Sequence, residues 1–265
     1  GRIFMIGIKT NKGFKKVIEC SNEDEERRGI TEFFRIIEEE KPSILSGYNS
    51  FNFDWYWIYE RCKMLNLDIK RVAKSLNPEK SISQKESMLK LANEVEKFTQ
   101  TQMWGYNIID ILHSVRRAQA INSNIKEAGL KYITKYIEAE APDRVYVDHD
   151  KIGSMYRDKE EYWLNIENGK YKKVGVDTKI DEVCGRHKVY IKTTGDDIIE
   201  RYLDDDLEET LLVDEEFNQG SFLLASLLPT TYERVSTMGT ATLWKMLMLA
   251  WSYKHGLAIP AKQGK

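Results

Sequence analysis

The sequence predicts an α/β domain followed by a helical extension, and three observations carry that expectation. Short, nearly continuous apolar runs read as buried strands, capped charged stretches between them read as helices, and the end of the chain is helical in pattern. At 265 residues, with 42% hydrophobic and 31% charged content, the chain is long enough for a substantial core and is not of disordered composition.

Ile3-Phe4-Met5-Ile6-Gly7-Ile8 is the first strand; Asn11-Lys12-Gly13 supplies turn chemistry, and Lys16 to Cys20 returns as its hairpin partner. Ser21-Asn22-Glu23-Asp24-Glu25 is a helix-start signature, and Asp24-Glu25-Glu26 is expected to serve capping. That helix runs through Phe33, Phe34, Ile36 and Ile37 and stops at Lys41-Pro42. Ser43 to Ser46 reads as a buried strand, and Trp55 to about Leu65 as a helix. From about 68 to 102, Lys, Glu and Ser alternate with few aromatics, which predicts helices on a solvated lobe. Tyr106 to Asp110 restores a strand, followed by a helix with Leu112, Val115, Arg116 and Arg117 and a further helical stretch from Ile125 to Ile137. Asn168-Gly169, between Tyr162 to Ile166 and Tyr171 to Val174, predicts a hairpin over about 161–175. Lys188 to Lys192 adds a strand. The chain turns helical from Asp196, and again from about Gly239 to His255, ending at Pro260.

No apolar run is long enough to span a bilayer, and no signal segment opens the chain, so no membrane contact is expected and the protein reads as cytoplasmic. Cys20, Cys62 and Cys184 are scattered without a Cys-x-x-Cys pair, which argues against a zinc site or a disulfide framework. A net charge of −2 neither demands nor excludes nucleic acid.

Two acidic signatures stand out. The first is Gly47-Tyr48-Asn49-Ser50-Phe51-Asn52-Phe53-Asp54, directly after a buried strand, where ligands of open α/β sheets gather. Taken alone, Asp54 reads first as a helix cap, and most of the aromatics from Phe51 to Tyr59 are core by default. The second is Tyr202-Leu203-Asp204-Asp205-Asp206. On a helix Tyr202 and Asp206 share a face, and the spacing selects Asp206 of the three aspartates. With Glu208 and Glu209 nearby, a solvated acidic helix face is the alternative. A tyrosine beside a metal-bound aspartate can hold and orient an attacking water.

In this order the two signatures resemble motifs II and III of the 3′→5′ proofreading exonuclease in family B DNA polymerases, a DEDD-type nuclease of the tyrosine subclass. Asp110 to Arg117 resembles the family's strand-to-helix segment between those motifs, and Lys151 to Tyr156 the helix that follows. Thr237 to Pro260 resembles the helical link into the polymerase palm. The resemblance implies a ribonuclease H-like fold with a mixed central sheet flanked by helices, over residues 1–228, and a helical link over 229–265. It further implies a viral or phage source. The runner-up is a non-catalytic nucleic-acid-binding module on the same fold.

The resemblance also implies a chemistry. Two divalent ions, Mg²⁺ or Mn²⁺, would sit about 4 Å apart and share the work of activating water and stabilising the leaving 3′-oxygen. Asp206 and Asp54 would be metal ligands, Tyr202 would orient the nucleophile, and Asn49, Asn52 and Phe53 would shape the pocket for the terminal nucleotide. His113, His149, His187 and His255 fit no general-base position. The partners implied are a single-stranded DNA 3′ end, primer-template DNA and the remainder of a polymerase chain. Motif I, an Asp-x-Glu, is expected just upstream of Gly1, because the chain opens on the strand that would follow it. Two dications about 4 Å apart repel by roughly 17 kcal/mol at an effective dielectric near 20. Asp54 and Asp206 alone offset only part of that, so the expectation is weak metal binding and little nuclease activity. Nothing after Pro260, including Lys262 and Lys265, could supply the palm's carboxylates.

Overall fold

The structure is a computed structural model that describes residues 1–91, 94–175 and 189–259. Cys184, His187, Lys188, Pro260, Lys262 and Lys265 lie outside the described residues. The chain divides into two compact units. The first comprises Gly1–Ile6, Ile18–Gly129 and Val213–Lys265, the second Gly7–Val17 and Leu130–Leu212. Strands β1 (Met5–Lys9) and β2 (Lys15–Glu19), which pair with each other, run through both units. So does the long helix α7 (Gly195–Leu227). Among the described residues no helix is long and apolar enough to cross a membrane.

The first unit begins its helical part with α1 (Glu23–Glu40). The Asn22 side chain accepts from the Glu25 N–H at 2.9 Å, and the Glu25 carboxylate accepts from the Ser21 N–H at 2.7 Å, a reciprocal cap. Glu26 does something else, which corrects the capping expectation for that residue. Its fully buried carboxylate accepts from both Nε and Nη2 of Arg61 at 2.7 Å and from the Ile3 N–H at 2.8 Å. One helical turn faces two ways here: Glu25 lies over the helix end and Glu26 points inward.

Strand β3 (Ile44–Gly47) pairs in parallel with β6 (Asn107–Asp110), with Gly47 opposite Asp110. A parallel pair needs a long crossover. It consists of α2 (Asp54–Met64), the short α3 (Ile69–Val72) and an antiparallel hairpin, β4 (Ile82–Lys90) with β5 (Val95–Met103). The hairpin replaces the helical lobe expected over 68–102. Ile82, Leu89, Phe98 and Met103 are buried, and most of the Lys and Glu residues between them are exposed, but the burial follows no strict alternation along either strand. Without that alternation the dense Lys and Glu gave no strand signal. Ile30, Phe34, Phe51, Trp55, Ile58 and Ile108 form one core with these strand residues. Helix α4 (Ile111–Ile121) follows β6 directly.

The helical stretch expected from Ile125 shortens to α5 (Leu130–Tyr136). Ile125 is a buried anchor, and the Ala128 carbonyl accepts from the Tyr48 hydroxyl at 2.5 Å instead of from a helix N–H. In the second unit, α6 (His149–Asp158) precedes a three-stranded antiparallel sheet of order β8-β7-β9. Its strands are β7 (Glu161–Asn165), β8 (Tyr171–Lys173) and β9 (Tyr190–Thr194). The first unit closes with α8 (Tyr232–Thr237) and α9 (Thr240–Lys254). Arg117, half-buried on α4, donates to the carbonyls of Val235 (3.3 Å) and Met238 (2.5 Å) and ties down the end of α8.

Two outcomes test this account. Arg61→Ala leaves the Glu26 carboxylate buried and uncompensated and is expected to destabilise the protein by about 3–5 kcal/mol, read from urea unfolding. Glu233, buried on α8 with Gln100 Nε2 donating to it at 3.3 Å, has its pKa pushed up by burial to about 7 from 4.5. An acid raised in the folded state contributes stability that is lost as pH rises through that window. Stability measured from pH 4.5 to 7 should therefore fall less steeply in Glu233→Gln than in the wild type.

Candidate active site

The first acidic signature is the loop between β3 and α2, and its shape is set by a residue 56 positions beyond Asp54, Asp110. Asp110 ends β6 and is almost fully buried. One carboxylate oxygen accepts from the Asn49 N–H at 2.8 Å and the Leu112 N–H at 3.1 Å; the other accepts from the Phe51 N–H at 3.0 Å. These bonds cap α4 and bend the loop, with Asn49 left-handed at φ 57°. Burial raises the Asp110 pKa to about 7, the three N–H bonds pull it down, and the charge of Asp54 raises it further.

Phe51 turns inward and stacks on Phe98 of β5, ring centroids 5.4 Å apart, with the His113 ring beside both. Burial pushes the His113 pKa down to about 4, so it is neutral at pH 7. Phe53 and Asp54 point outward. Phe53 is 59% exposed, whereas Phe51 and Trp55 are core. The aromatic run is thus divided: Phe51 and Trp55 hold the loop, while Phe53 and Tyr56 stay on the surface. Asp54 is the first residue of α2, not its cap, which is Phe53. Its carboxylate stands in the first turn, where the helix dipole favours negative charge. The Asn52 side-chain amide donates to Asn49 Oδ1 at 3.2 Å, so Asn49, Asn52, Phe53 and Asp54 are gathered at one edge of the first unit.

The second signature lies on α7 in the second unit. Tyr202 is buried, Lys131 Nζ donates to its hydroxyl oxygen at 3.0 Å, and the hydroxyl hydrogen-bonds Asp206. The Lys131 ammonium and the Arg144 guanidinium lie over the Tyr202 ring, 4.5 and 5.0 Å from its centroid. Asp206 forms an ion pair with Arg144. Arg144 is 3% exposed; its Nε bonds Glu209 at 2.7 Å and its Nη1 reaches Asp205 at 3.5 Å. Asp205 also accepts from the Val145 N–H at 2.8 Å. Burial raises the pKa of Asp205, Asp206 and Glu209, and Arg144 opposes that shift in each.

These contacts overturn the picture of a solvated acidic face. Asp204 pairs with Lys15 and Glu208 with Lys9, so every acid of the run has a cation beside it. Asp206 is not alone in facing inward, because Asp205 and Glu209 converge on the same guanidinium. The 161–175 hairpin seats that guanidinium's backbone. Gly169, at φ 66°, packs so closely on the Arg144 carbonyl that a Cβ there would fall on its oxygen. Beside it an open groove of about 580 Å³ is lined by Arg144, Tyr146, Lys151, Lys170 and Tyr171. A second groove in the unit, with Asp143, Asp197, Glu200, Asp204 and Asp205 against Lys15 and Arg201, has the opposite charge balance.

Among the described residues no group of three His, Cys, Asp or Glu side chains stands ready to hold a metal ion. Asp206 is committed to Arg144. As they stand, the donors of the second unit do not fit a divalent cation.

Sequence reasoning missed Asp110 as the organiser of the first loop, although an aspartate ending an apolar strand just before a helix is a capping signal. It also missed Arg144 and Lys131. Arg144 lies in an irregular stretch with no periodicity, and no local pattern marks it.

The described residues form a mixed α/β fold, with the parallel β3–β6 pair in the first unit and the antiparallel β8-β7-β9 sheet in the second. Residues 4–133 match the family described as DNA polymerase family B, exonuclease domain. The structure is similar to that of the family B DNA polymerase from the hyperthermophilic archaeon Pyrobaculum calidifontis, with a TM-score of 0.60 and 19% identity. That similarity covers 99% of this chain and 28% of the archaeal one, so this chain spans little more than a quarter of that polymerase. No curated protein matches the sequence. Over residues 4–133 the sequence is thus similar to the exonuclease domain of family B DNA polymerases, and exonuclease domains of that family are generally dependent on divalent metal ions.

Asp110→Ala is expected to free two loop N–H groups and one at the start of α4 and to destabilise the first unit by about 2–4 kcal/mol. Amide hydrogen exchange should speed up first at Asn49, Phe51 and Leu112; exchange unchanged at those three would contradict the clamp.

Proposed function

We propose that this chain is the proofreading 3′→5′ exonuclease region of a DNA-directed DNA polymerase, hydrolysing the terminal phosphodiester of DNA 3′ ends. In this reading Asp54 and Asp206 bind Mg²⁺ or Mn²⁺, and Tyr202 orients the attacking water. Asn49, Asn52 and Phe53 form the pocket for the last nucleotide. The observation that supports it most is the Tyr202–Asp206 hydrogen bond, with Lys131 donating to the same hydroxyl. A tyrosine so held keeps a fixed direction, and burial raises its pKa, so it stays protonated and acts as a hydrogen-bond partner and not as a base.

The substrate side has support of its own. The groove along Tyr146, Lys151, Lys170 and Tyr171 offers ring faces and cations, the combination that binds single-stranded DNA without sequence preference. The rest of the polymerase is the proposed partner of α9, the helical link toward the palm. This helix exposes Trp244, Met248 and Trp251, at intervals of four and three residues on one face, to an unusual degree. The place of action is wherever that polymerase replicates DNA, the cytoplasm for a bacterial or phage enzyme.

A second reading, a non-catalytic nucleic-acid-binding module, is favoured by one observation: Asp206 is held by Arg144. Both readings are separable. The proofreading reading expects slow Mn²⁺-dependent release of 3′ nucleotides from single-stranded DNA at high protein concentration. Release should fall at least about 100-fold in Asp54→Ala and in Asp206→Ala, and about tenfold in Tyr202→Phe. DNA binding with no release, and no difference among these variants, would establish the module instead.

A further inference from the structure

The disagreement between a metal-dependent family and an arginine-held aspartate has structural content. We propose that Arg144 is the resident cation of the Asp205, Asp206 and Glu209 cluster, and that a divalent ion must compete with it for Asp206. This rests on the reading of Asp206 as a metal ligand and adds a residue that governs access to it.

Four observations carry the proposal. The guanidinium is buried and reaches all three carboxylates, one through each of its nitrogens. Three acids and one arginine leave an excess of negative charge, and the nearby Lys131, whose pKa burial lowers, makes up only one unit of it. Glu209 is 3% exposed, and its second carboxylate oxygen, Oε2, is buried with no hydrogen-bond partner. A buried anionic oxygen without a donor is costly and marks a place for positive charge. The backbone of Arg144 is held by the Gly169 turn, and the guanidinium lies over the rings of Tyr146 and Tyr202.

Hard divalent ions take carboxylate oxygens, the same atoms that Arg144 now engages. Arg144 and the ion are therefore alternative partners of Asp206. While Arg144 holds Asp206, the Tyr202 hydroxyl is directed to the same carboxylate. Arg144 is a positioning residue in this scheme and touches no reacting atom.

The test is Mn²⁺ affinity of the full 265-residue chain, read by electron paramagnetic resonance of the free ion, for the wild type, Arg144→Gln and the Arg144→Gln/Asp206→Asn pair. Arg144→Gln is expected to bind Mn²⁺ at least about tenfold tighter, and the added Asp206→Asn to abolish the gain. Equal or weaker binding in Arg144→Gln, or a gain that survives Asp206→Asn, overturns the proposal. Should Arg144→Gln fail to fold, a Mg²⁺ titration of the wild type followed by the Arg144 Nε–H resonance decides. The resonance is expected to shift along the binding curve; a resonance that stays put while Mg²⁺ binding is lost in Asp206→Asn overturns it. These are binding measurements, so absence of 3′ nucleotide release would count against the exonuclease reading alone.

Discussion

The carboxylate of Asp110 is the constraint on which the first half of the site depends. A loop that leaves a parallel strand and immediately enters a helix exposes backbone N–H groups that neither element can satisfy. Asp110 lies opposite Gly47 in the neighbouring strand and accepts three of them, two from the loop and one from the start of α4. With those bonds made, Phe51 is turned into the core against Phe98, and Asp54 and Phe53 are left at the surface. The exposed acid is placed by a buried one. The buried acid bears the desolvation, which is why its pKa rises toward 7 despite three donors.

The second unit solves the opposite electrostatic problem. There acids crowd onto one helix, and those of the run from Asp204 to Glu209 each pair with a cation from another segment of the unit: Lys9, Lys15 or Arg144. Arg144 serves three at once. A planar fork with donors on three nitrogens can do this, whereas a lysine ammonium in the same position would be a single point charge. The ring faces of Tyr146 and Tyr202 complete its surroundings, so the arginine is enclosed by carboxylates at its edge and by aromatic quadrupoles above and below.

Much of the fold was legible in the sequence, and the misses have physical reasons. Apolar runs located β1, β3 and β6, the Asn168-Gly169 pair located the β7–β8 hairpin, and the Asn22 cap located α1. The β4–β5 hairpin was missed because it is rich in Lys, Glu and Gln, whose helix propensity is high, while its buried apolar residues, Ile82, Leu89, Phe98 and Met103, follow no period-two pattern. Tertiary packing of Ile82, Leu89 and Phe98 overrode local propensity. The helix from Ile125 was drawn too long because an apolar residue used as a loop anchor looks the same as one on a helix face. Of the site, the residues with a motif were visible. Those that hold them, Asp110, Lys131 and Arg144, reach the motif residues through contacts 59 to 71 positions away, and no local window can reveal such a pairing.

That difference bears on how the two acidic signatures should be understood. Asp54 and Asp206 look equivalent in sequence, each a carboxylate beside an aromatic residue. In the structure they are in opposite states. Asp54 is an exposed carboxylate at a helix start, backed at a distance by a second negative charge, Asp110, that raises the local demand for a cation. Asp206 is mostly buried and already neutralised by Arg144. A cation arriving at Asp54 gains attraction from that carboxylate and from the buried Asp110 behind it. One arriving at Asp206 must first break a buried, multiply bonded ion pair, and breaking such a pair is unfavourable unless the new partner replaces it in full. A divalent ion carries twice the charge of the guanidinium, which is the property that makes the exchange possible, and the negative charge that Asp205, Asp206 and Glu209 leave in excess around Arg144 is what would reward it.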